Sequence, residues 1–328
     1  MKEFEYARAG SVAEALHQGA EGQSMFLGGG TNLVDLMRYG VVSPDRLVDI
    51  AHLALTRIEE AGHGGLRIGA LVRNSDLAAD KRVAKRYPAL AQAILDGASP
   101  QIRNMATTGG NLMQRTRCSY FNDTGFPCNK REPGSGCPAI AGYNRMHSIL
   151  GASDHCIAAH PSDMAVALRL LDATVQVEGP NGKRTVPIAE FHRLPGDTPE
   201  RDTALEHGEL ITSIELPPLP LAQSSAYIKV RDRASFAFAL VSVAAALQVE
   251  GGSVRAARFA LGGIAPKPWR IEAAEAMLVG KPPNAVNFRS AAEFALEGAK
   301  GYGHNDFKIE LAKRTVVRAF GELAGGAA

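Results

Sequence analysis

No stretch of this 328-residue sequence reaches the roughly 18 uninterrupted apolar residues that a membrane helix needs, so no membrane span is expected. The opening MKEFEYARAGSVAEAL carries no apolar core of the kind that drives export, and no export signal of the chain's own is expected from it. Charge of one sign is scarce as well. The 36 basic and 34 acidic residues leave a formal net charge of +2 spread along the whole length. That balance offers no basic face to a phosphate backbone and argues against nucleic acid as a partner. No Gly-Lys-Ser/Thr follows any glycine-rich run, which excludes a P-loop. No internal repeat or low-complexity tract is present, and no Ser-His-Asp or paired-carboxylate arrangement stands out from nine scattered histidines. What remains is an ordinary globular composition, 45% hydrophobic and 21% charged, in a chain long enough for two domains.

The first 50 residues read as a β-α-β-α-β unit. EFEYA is a strand, Ser11 with Glu14 forms a capping box for a helix to about Gln18, and SMFLGGG is the second strand. TNLVDLMRYG is a helix with Thr31 near its N-cap and Gly40 just past its end, followed by the strand DRLVDI. From LTRIEE and GLRIGALV the pattern turns to strands, then to helices over SDLAADKRVAKRYPALAQAILDGA. After a loop rich in glycine and proline, DMAVALRLLDA is helical, and TVQVEGPNGKRTVPI is a hairpin whose Asn181-Gly182 pair suits a type I′ turn. ELITSIEL is a strand, and the prolines after it mark a linker. The remainder, with long strands in SFAFALVSVAAALQVEGGSVRAARFALGGI and three helices after them, reads as a separate α+β domain.

Two glycine loops carry the first chemistry. LGGGTNL, Leu27 to Leu33, joins a strand to a helix, where main-chain N–H groups and the positive helix end can hold a pyrophosphate. Gly28, Gly29 and Gly30 permit that approach because no Cβ intrudes. The dinucleotide fingerprint G-x-G-x-x-G is not met, since Leu33 stands where its last glycine belongs. MATTGGNLMQ, Met105 to Gln114, repeats the recipe, and two such loops in one lobe can grip a long diphosphate ligand from both sides. Either loop alone also fits a tight turn with no ligand.

The four cysteines are the second feature. All fall in one broken stretch, as C-x9-C-x8-C-x18-C through Cys118, Cys128, Cys137 and Cys156. Disulfides suit a small secreted domain short of core, which this is not. Structural zinc favours C-x2-C knuckles, which are missing here, so zinc ranks second. A [4Fe-4S] cluster needs four thiolates around a cube, and single cysteines on a wrapping loop can supply them. Arg115, Arg117, Lys130 and Arg131 lie in the same stretch and would offset its anionic charge, or face solvent or another subunit. His147, His155 and His160 are read as packing or hydrogen-bonding groups, because four thiolates complete a cubane.

FLGGGTNLVDLMRYG, TTGGNL, HPSDMAVAL, GELITSIELP and YIKVRDRASFAFALVSVAAAL occur in that order along nearly the whole chain. In them the sequence resembles the FAD-binding flavoprotein subunits of the xanthine dehydrogenase and molybdenum hydroxylase group. The resemblance implies an α+β fold: a two-lobed FAD-binding domain of the vanillyl-alcohol-oxidase (PCMH) type, then a C-terminal domain of the CO-dehydrogenase-flavoprotein type. The division expected is 1–222 (lobes about 1–55 and 56–222, with a cluster loop at 115–160) and 223–328. It implies that Phe26, Leu27, Gly28, Gly29, Gly30, Thr31, Asn32, Leu33 and Val34 wrap the FAD pyrophosphate. Thr107, Thr108, Gly110 and Asn111 would line the opposite side, and Asp163 would accept hydrogen bonds from the ribityl or adenosine portion. Ile211 would pack by the isoalloxazine, with Lys229 near the ring's polar rim. Taken without the resemblance, Asp163 reads as an N-cap, Ile211 as core and Lys229 as a solvated strand lysine.

Within that group most flavoprotein subunits lack these cysteines, while a subset including the 4-hydroxybenzoyl-CoA reductase type carries an inserted cluster loop. Residues 114–156, QRTRC through Cys156, resemble the insertion in bacterial periplasmic-type aldehyde oxidoreductases. The resemblance thus implies an electron-transfer subunit with FAD and a [4Fe-4S] cluster and no acid–base residue of its own. Its partners would be a large molybdenum-cofactor subunit, a small [2Fe-2S] subunit and an external electron acceptor. A bacterial periplasm reached beside a signal-bearing partner is expected, with the cytoplasm as the alternative. Trp269, in the turn GGIAPKPWR, is expected at a subunit contact or a wall of the flavin site, or in local packing. The competing readings are a free-standing flavin oxidoreductase and a zinc-stabilised scaffold.

Overall fold

The structure, a computed structural model, describes residues 1–62 and 64–325. Three sheets organise it. The first holds β1 (Glu5–Arg8), β2 (Ser24–Leu27) and β3 (Arg46–Asp49), all parallel, in the order β1-β3-β2. Parallel neighbours require crossovers, and the helices Val12–Gly19 and Leu33–Arg38 supply them. Ser11 Oγ accepts from the Glu14 N–H at 3.1 Å, while the Glu14 carboxylate accepts from the Gly10 N–H at 2.8 Å, so the expected capping box closes one residue early. The N-cap of the second helix is Asn32, next to Thr31. Its cap side chain makes no bond to the helix because Asn32 Oδ1 accepts instead from the Arg115 N–H, 2.8 Å away on the second glycine loop's far side.

The second sheet is antiparallel, in the order β4-β5-β8-β6-β7, from β4 (Ile58–Glu60), β5 (Leu66–Gly69), β6 (Thr174–Gly179), β7 (Gly182–Pro187) and β8 (Leu210–Leu216). The helices Asn74–Ala79, Lys81–Arg86, Pro88–Asp96 and Asp163–Leu170 cover it, and Leu66, Ile68, Leu90, Ile94, Leu168 and Val175 form its core. The β6–β7 turn corrects the type I′ expectation. The register pairs Gly179 with Gly182, so Pro180 and Asn181 are the central residues, and only Gly182 has positive φ, at 100°. Proline fixes φ near −65°, which bars the left-handed geometry that a type I′ turn needs there.

The third sheet joins β9 (Ser225–Val230), β10 (Val241–Glu250) and β11 (Ser253–Gly262) in the antiparallel order β11-β10-β9. The Phe-Ala alternation before Val241 reads like strand but forms a loop, in which Phe236 has φ +50°. Along β10 the side chains alternate with period two. Ala244 and Ala246 join the lobe-two core, whereas Val243, Ala245 and Leu247 pack with Phe288 and Phe320 from the helices Ala285–Ala295 and Phe307–Leu323. Small residues on one face let the sheet sit close on lobe two. Among the described residues, no helix is long and apolar enough to cross a membrane.

Candidate functional site: a glycine-lined cleft and a cysteine pocket

The second glycine loop is clamped onto the end of β5. The Thr108 N–H and hydroxyl both donate to Val72 O at 2.9 Å, the Gly109 N–H donates to Ala70 O at 2.8 Å, and the Asn74 N–H donates to Ala106 O at 2.9 Å. Thr107 Oγ1 caps the short turn that follows by accepting from the Gly110 N–H at 3.2 Å. The first loop lies directly against it. A Cβ on Gly29 would come within 2.0 Å of Met105 O, so only glycine allows the two backbones to meet. Gly30 turns the chain into the helix with φ +72°.

Between the loops runs a cleft of about 560 Å³, a volume suited to a cofactor. Phe26, Gly28, Gly29, Gly30, Thr31, Asn32, Leu33, Thr107, Gly110 and Ile211 line it. Leu27, Val34, Thr108, Asn111, Asp163 and Lys229 do not. Leu27 ends β2 and Val34 is the second residue of the helix behind the loop; Thr108 is spent on Val72, and Asn111 Oδ1 accepts from Ser162 Oγ at 2.6 Å. The opposite wall is the segment Glu200–Ile211, which carries Asp202, Glu206 and His207. Apart from Ile211, sequence reasoning missed this wall because PGDTPERDTALEHGEL has neither periodicity nor motif. Asp202 pairs with Arg115 on the cleft side and with Lys130 Nζ, at 2.5 Å, on the cysteine side. These cations hold its carboxyl below the ordinary range against the opposing effect of burial.

Asp163 and Lys229 form a buried pair. Lys229 Nζ donates to Asp163 Oδ2 at 2.7 Å and the Tyr227 hydroxyl to Oδ1 at 2.6 Å. The Lys229 side chain is 1% exposed, so it is no solvated strand lysine. Burial pushes the Asp163 carboxyl up, while the ammonium and the hydroxyl oppose that rise. Ser162 is the cap of this helix, with Oγ accepting from the Ala165 N–H at 2.9 Å, and Asp163 is its first residue. Asp163 also lines a smaller pocket that it shares with Cys118, His147, His160 and Phe238.

The cysteine stretch has almost no regular structure: from 113 to 162 the only helix among the described residues is Ser119–Asn122. It is held instead by side-chain bonds to main chain. Arg131 donates to the carbonyls of Tyr120 and Phe121 at 2.6 Å and also to Phe126, and Asn129 Nδ2 donates to His155 O at 2.9 Å. Lys130 is buried on Asp202, and Arg117 stacks over the Phe238 ring at 5.1 Å. His155 faces Asp197 at 3.5 Å and His160 packs on His192, ring centroids 4.1 Å apart.

Cys118, Cys128, Cys137 and Cys156 are all unpaired, and all four line one small cavity together with Lys130 and His147. Burial raises the Cys118 thiol to about 12 and pushes Cys137 and Cys156 up too. Main-chain N–H groups of Tyr120 and Phe121 at Cys118, and of Ala139, Ile140 and Ile157 at Cys137, oppose that rise. Among the described residues, no three His, Cys, Asp or Glu side chains are grouped closely enough for a single metal ion. Trp269 belongs to the C-terminal core, where its Nε1 donates to Ala295 O at 3.0 Å.

Comparison with known proteins fits this geometry. Residues 2–219 match the FAD binding domain in molybdopterin dehydrogenase, and residues 225–323 match the CO dehydrogenase flavoprotein C-terminal domain. The chain is 52% identical to the aldehyde oxidoreductase FAD-binding subunit PaoB of Escherichia coli, over 98% of each chain. It is 29% identical to the glyceraldehyde dehydrogenase medium chain of Sulfolobus acidocaldarius over 98% of this chain and 99% of that one. Among solved structures, carbon monoxide dehydrogenase from Hydrogenophaga pseudoflava superposes with a TM-score of 0.76 at 28% identity, covering 100% of this chain and 99% of the other. The fold is thus the two-domain flavoprotein fold, and this chain belongs to the molybdenum hydroxylase family as an FAD-binding oxidoreductase subunit.

Proposed function

We propose that the chain is the electron-transferring subunit of a heteromeric molybdenum-cofactor aldehyde oxidoreductase, holding FAD in the glycine-lined cleft and a [4Fe-4S] cluster on Cys118, Cys128, Cys137 and Cys156. The aldehyde class rests on the 52% identity with PaoB along essentially the full chain. What carries the cluster is the convergence of four unpaired thiols on one cavity. A lone zinc would draw its sulfurs onto one ion at about 2.3 Å, whereas a cubane spreads them over separate irons at the corners of a cube.

In this reading Gly28 to Leu33 hold the diphosphate with main-chain N–H groups, Phe26, Thr107 and Gly110 line the cleft around it, and Ile211 gives the ring an apolar face. Lys229 and Asp163 stand outside the cleft as a buried ion pair at the start of the helix Asp163–Leu170. Bound FAD would supply a carrier that exchanges electrons singly or in pairs. The chain itself binds, orients and excludes water. Substrate oxidation belongs to a large molybdenum-cofactor subunit, and electrons reach this chain from a small [2Fe-2S] subunit and leave for an external acceptor. The reading extends to domains at 1–222 and 223–328, and to a bacterial periplasm reached beside a signal-bearing partner.

Purification of the complex from its native source tests the proposal. Co-purifying molybdenum and [2Fe-2S] subunits, with FAD and acid-labile sulfide on this chain, are expected. Stoichiometric zinc on a colourless chain, or purification without such partners, would overturn it.

A further inference from the structure

One polar group in the cysteine pocket has no part in the reading above. We propose that His147 is a positioning residue of the cluster site, whose Nε2–H donates to Cys118 Sγ and thereby favours the reduced form of the cluster that this thiolate holds. The inference rests on the [4Fe-4S] reading. His147 Nε2 lies 3.1 Å from Cys118 Sγ, and the residue is 5% exposed. A metal-bound thiolate only accepts hydrogen bonds, so the proton must sit on Nε2. The other ring nitrogen agrees: Nδ1 is buried with no partner among the described residues, as suits a bare nitrogen in a neutral ring.

The imidazole is also aimed with unusual care. Three fully buried polar side chains, Asn144, Asn305 and Lys308, are spent on the turn that carries it. Asn144 Nδ2 donates to Ala139 O at 3.2 Å, Gly142 O at 3.0 Å and Tyr302 O at 2.8 Å. Asn305 Nδ2 donates to His147 O at 3.2 Å and Ser148 O at 3.0 Å, and Lys308 Nζ donates to His147 O at 2.9 Å. Lys308 sits in the first turn of the helix Phe307–Leu323, so the C-terminal domain fixes a group in the cysteine pocket. Burying an ammonium and two amides is costly unless each bond is made. Here Ala139, Gly142, His147 and Ser148 lie on the segment that carries the ring, while Tyr302 and Gly263, the latter reached by Lys308 Nζ at 2.5 Å, tie it to the C-terminal part of the chain. An added electron makes the cluster and its thiolates more anionic, and a hydrogen bond to sulfur strengthens with that charge, which raises the reduction potential.

The test is a redox titration of the cluster by EPR in the intact complex, comparing His147→Gln with His147→Met. The two side chains match in length, and only glutamine offers an N–H. The methionine variant should bind wild-type iron and sulfide but titrate lower, by about a tenfold change in the reduced-to-oxidised ratio, roughly 59 mV for one electron. The glutamine variant should recover most of that shift. Iron lost from the methionine variant alone also supports the proposal, whereas equal potentials, or equal loss of iron from both, overturn it. A wild-type protein without iron overturns the cluster reading and this inference with it. Wild-type iron with equal potentials in the two variants overturns only the inference.

Discussion

The glycine cleft and the cysteine pocket adjoin each other and are built by opposite means. The cleft is a backbone device: two loops meet where Gly29 passes within a missing Cβ of Met105 O, and the second is pinned by main-chain bonds to Val72 and Ala70. The pocket is a side-chain device on a stretch with little regular structure, held by Arg131, Asn129, Asn144 and Lys130 on main-chain oxygens or Asp202. A backbone device fails when one atom is added. A side-chain device fails when one atom is exchanged. Asp202, paired to Arg115 on one side and Lys130 on the other, joins them.

That contrast can be broken by substitutions, the largest effect coming from the pocket. Cys156→Ser removes a buried thiol and should abolish most bound iron while flavin stays near one per chain; metal and flavin analysis of the same sample reads both. Loss of both together would show that the two sites are not separable. Next comes Gly29→Ala, whose Cβ would strike Met105 O and pry the loops apart. Flavin affinity should weaken at least tenfold, about 1.4 kcal/mol, with iron retained. Gly321→Ala is its control: nothing lies near that Cβ, and alanine should stabilise the helix by about 0.5–1 kcal/mol.

A third substitution asks what the regions share. Lys229→Met leaves Asp163 buried without its cation, and breaking such a pair costs about 3–5 kcal/mol. Because Asp163 opens the helix beside both sites, thermal unfolding should come earlier and iron and flavin should fall together. The smallest effect belongs to Ser162→Ala, which removes the cap on Ala165 and the bond to Asn111, for about 1 kcal/mol. A lower melting temperature with both cofactors in place is the expected result.

The same contrast explains how much the sequence disclosed. Lobe one was legible because period and glycine placement agree there, and the order of its strands and helices follows from them. The glycine loops were legible as motifs, because close backbone approach leaves a residue-type signature. The cysteines were legible as a set but their spacing was not, since ligands on irregular chain obey no helical or strand period. Hidden altogether were Asp202, the Glu200–Ile211 wall apart from Ile211, and the role of His147, which depend on neighbours some 30 to 160 residues away that no local pattern records. The type I′ expectation failed for a local reason, because Pro180 took the position that Asn181 was expected to hold.

Native mass spectrometry of the anaerobically prepared subunit tests most directly whether one chain carries both groups. The expected mass exceeds that of the polypeptide by one FAD and one [4Fe-4S] cluster, with Cys156→Ser losing only the second increment. A bare polypeptide mass, a single zinc increment, or a mass lowered by two disulfides would contradict it.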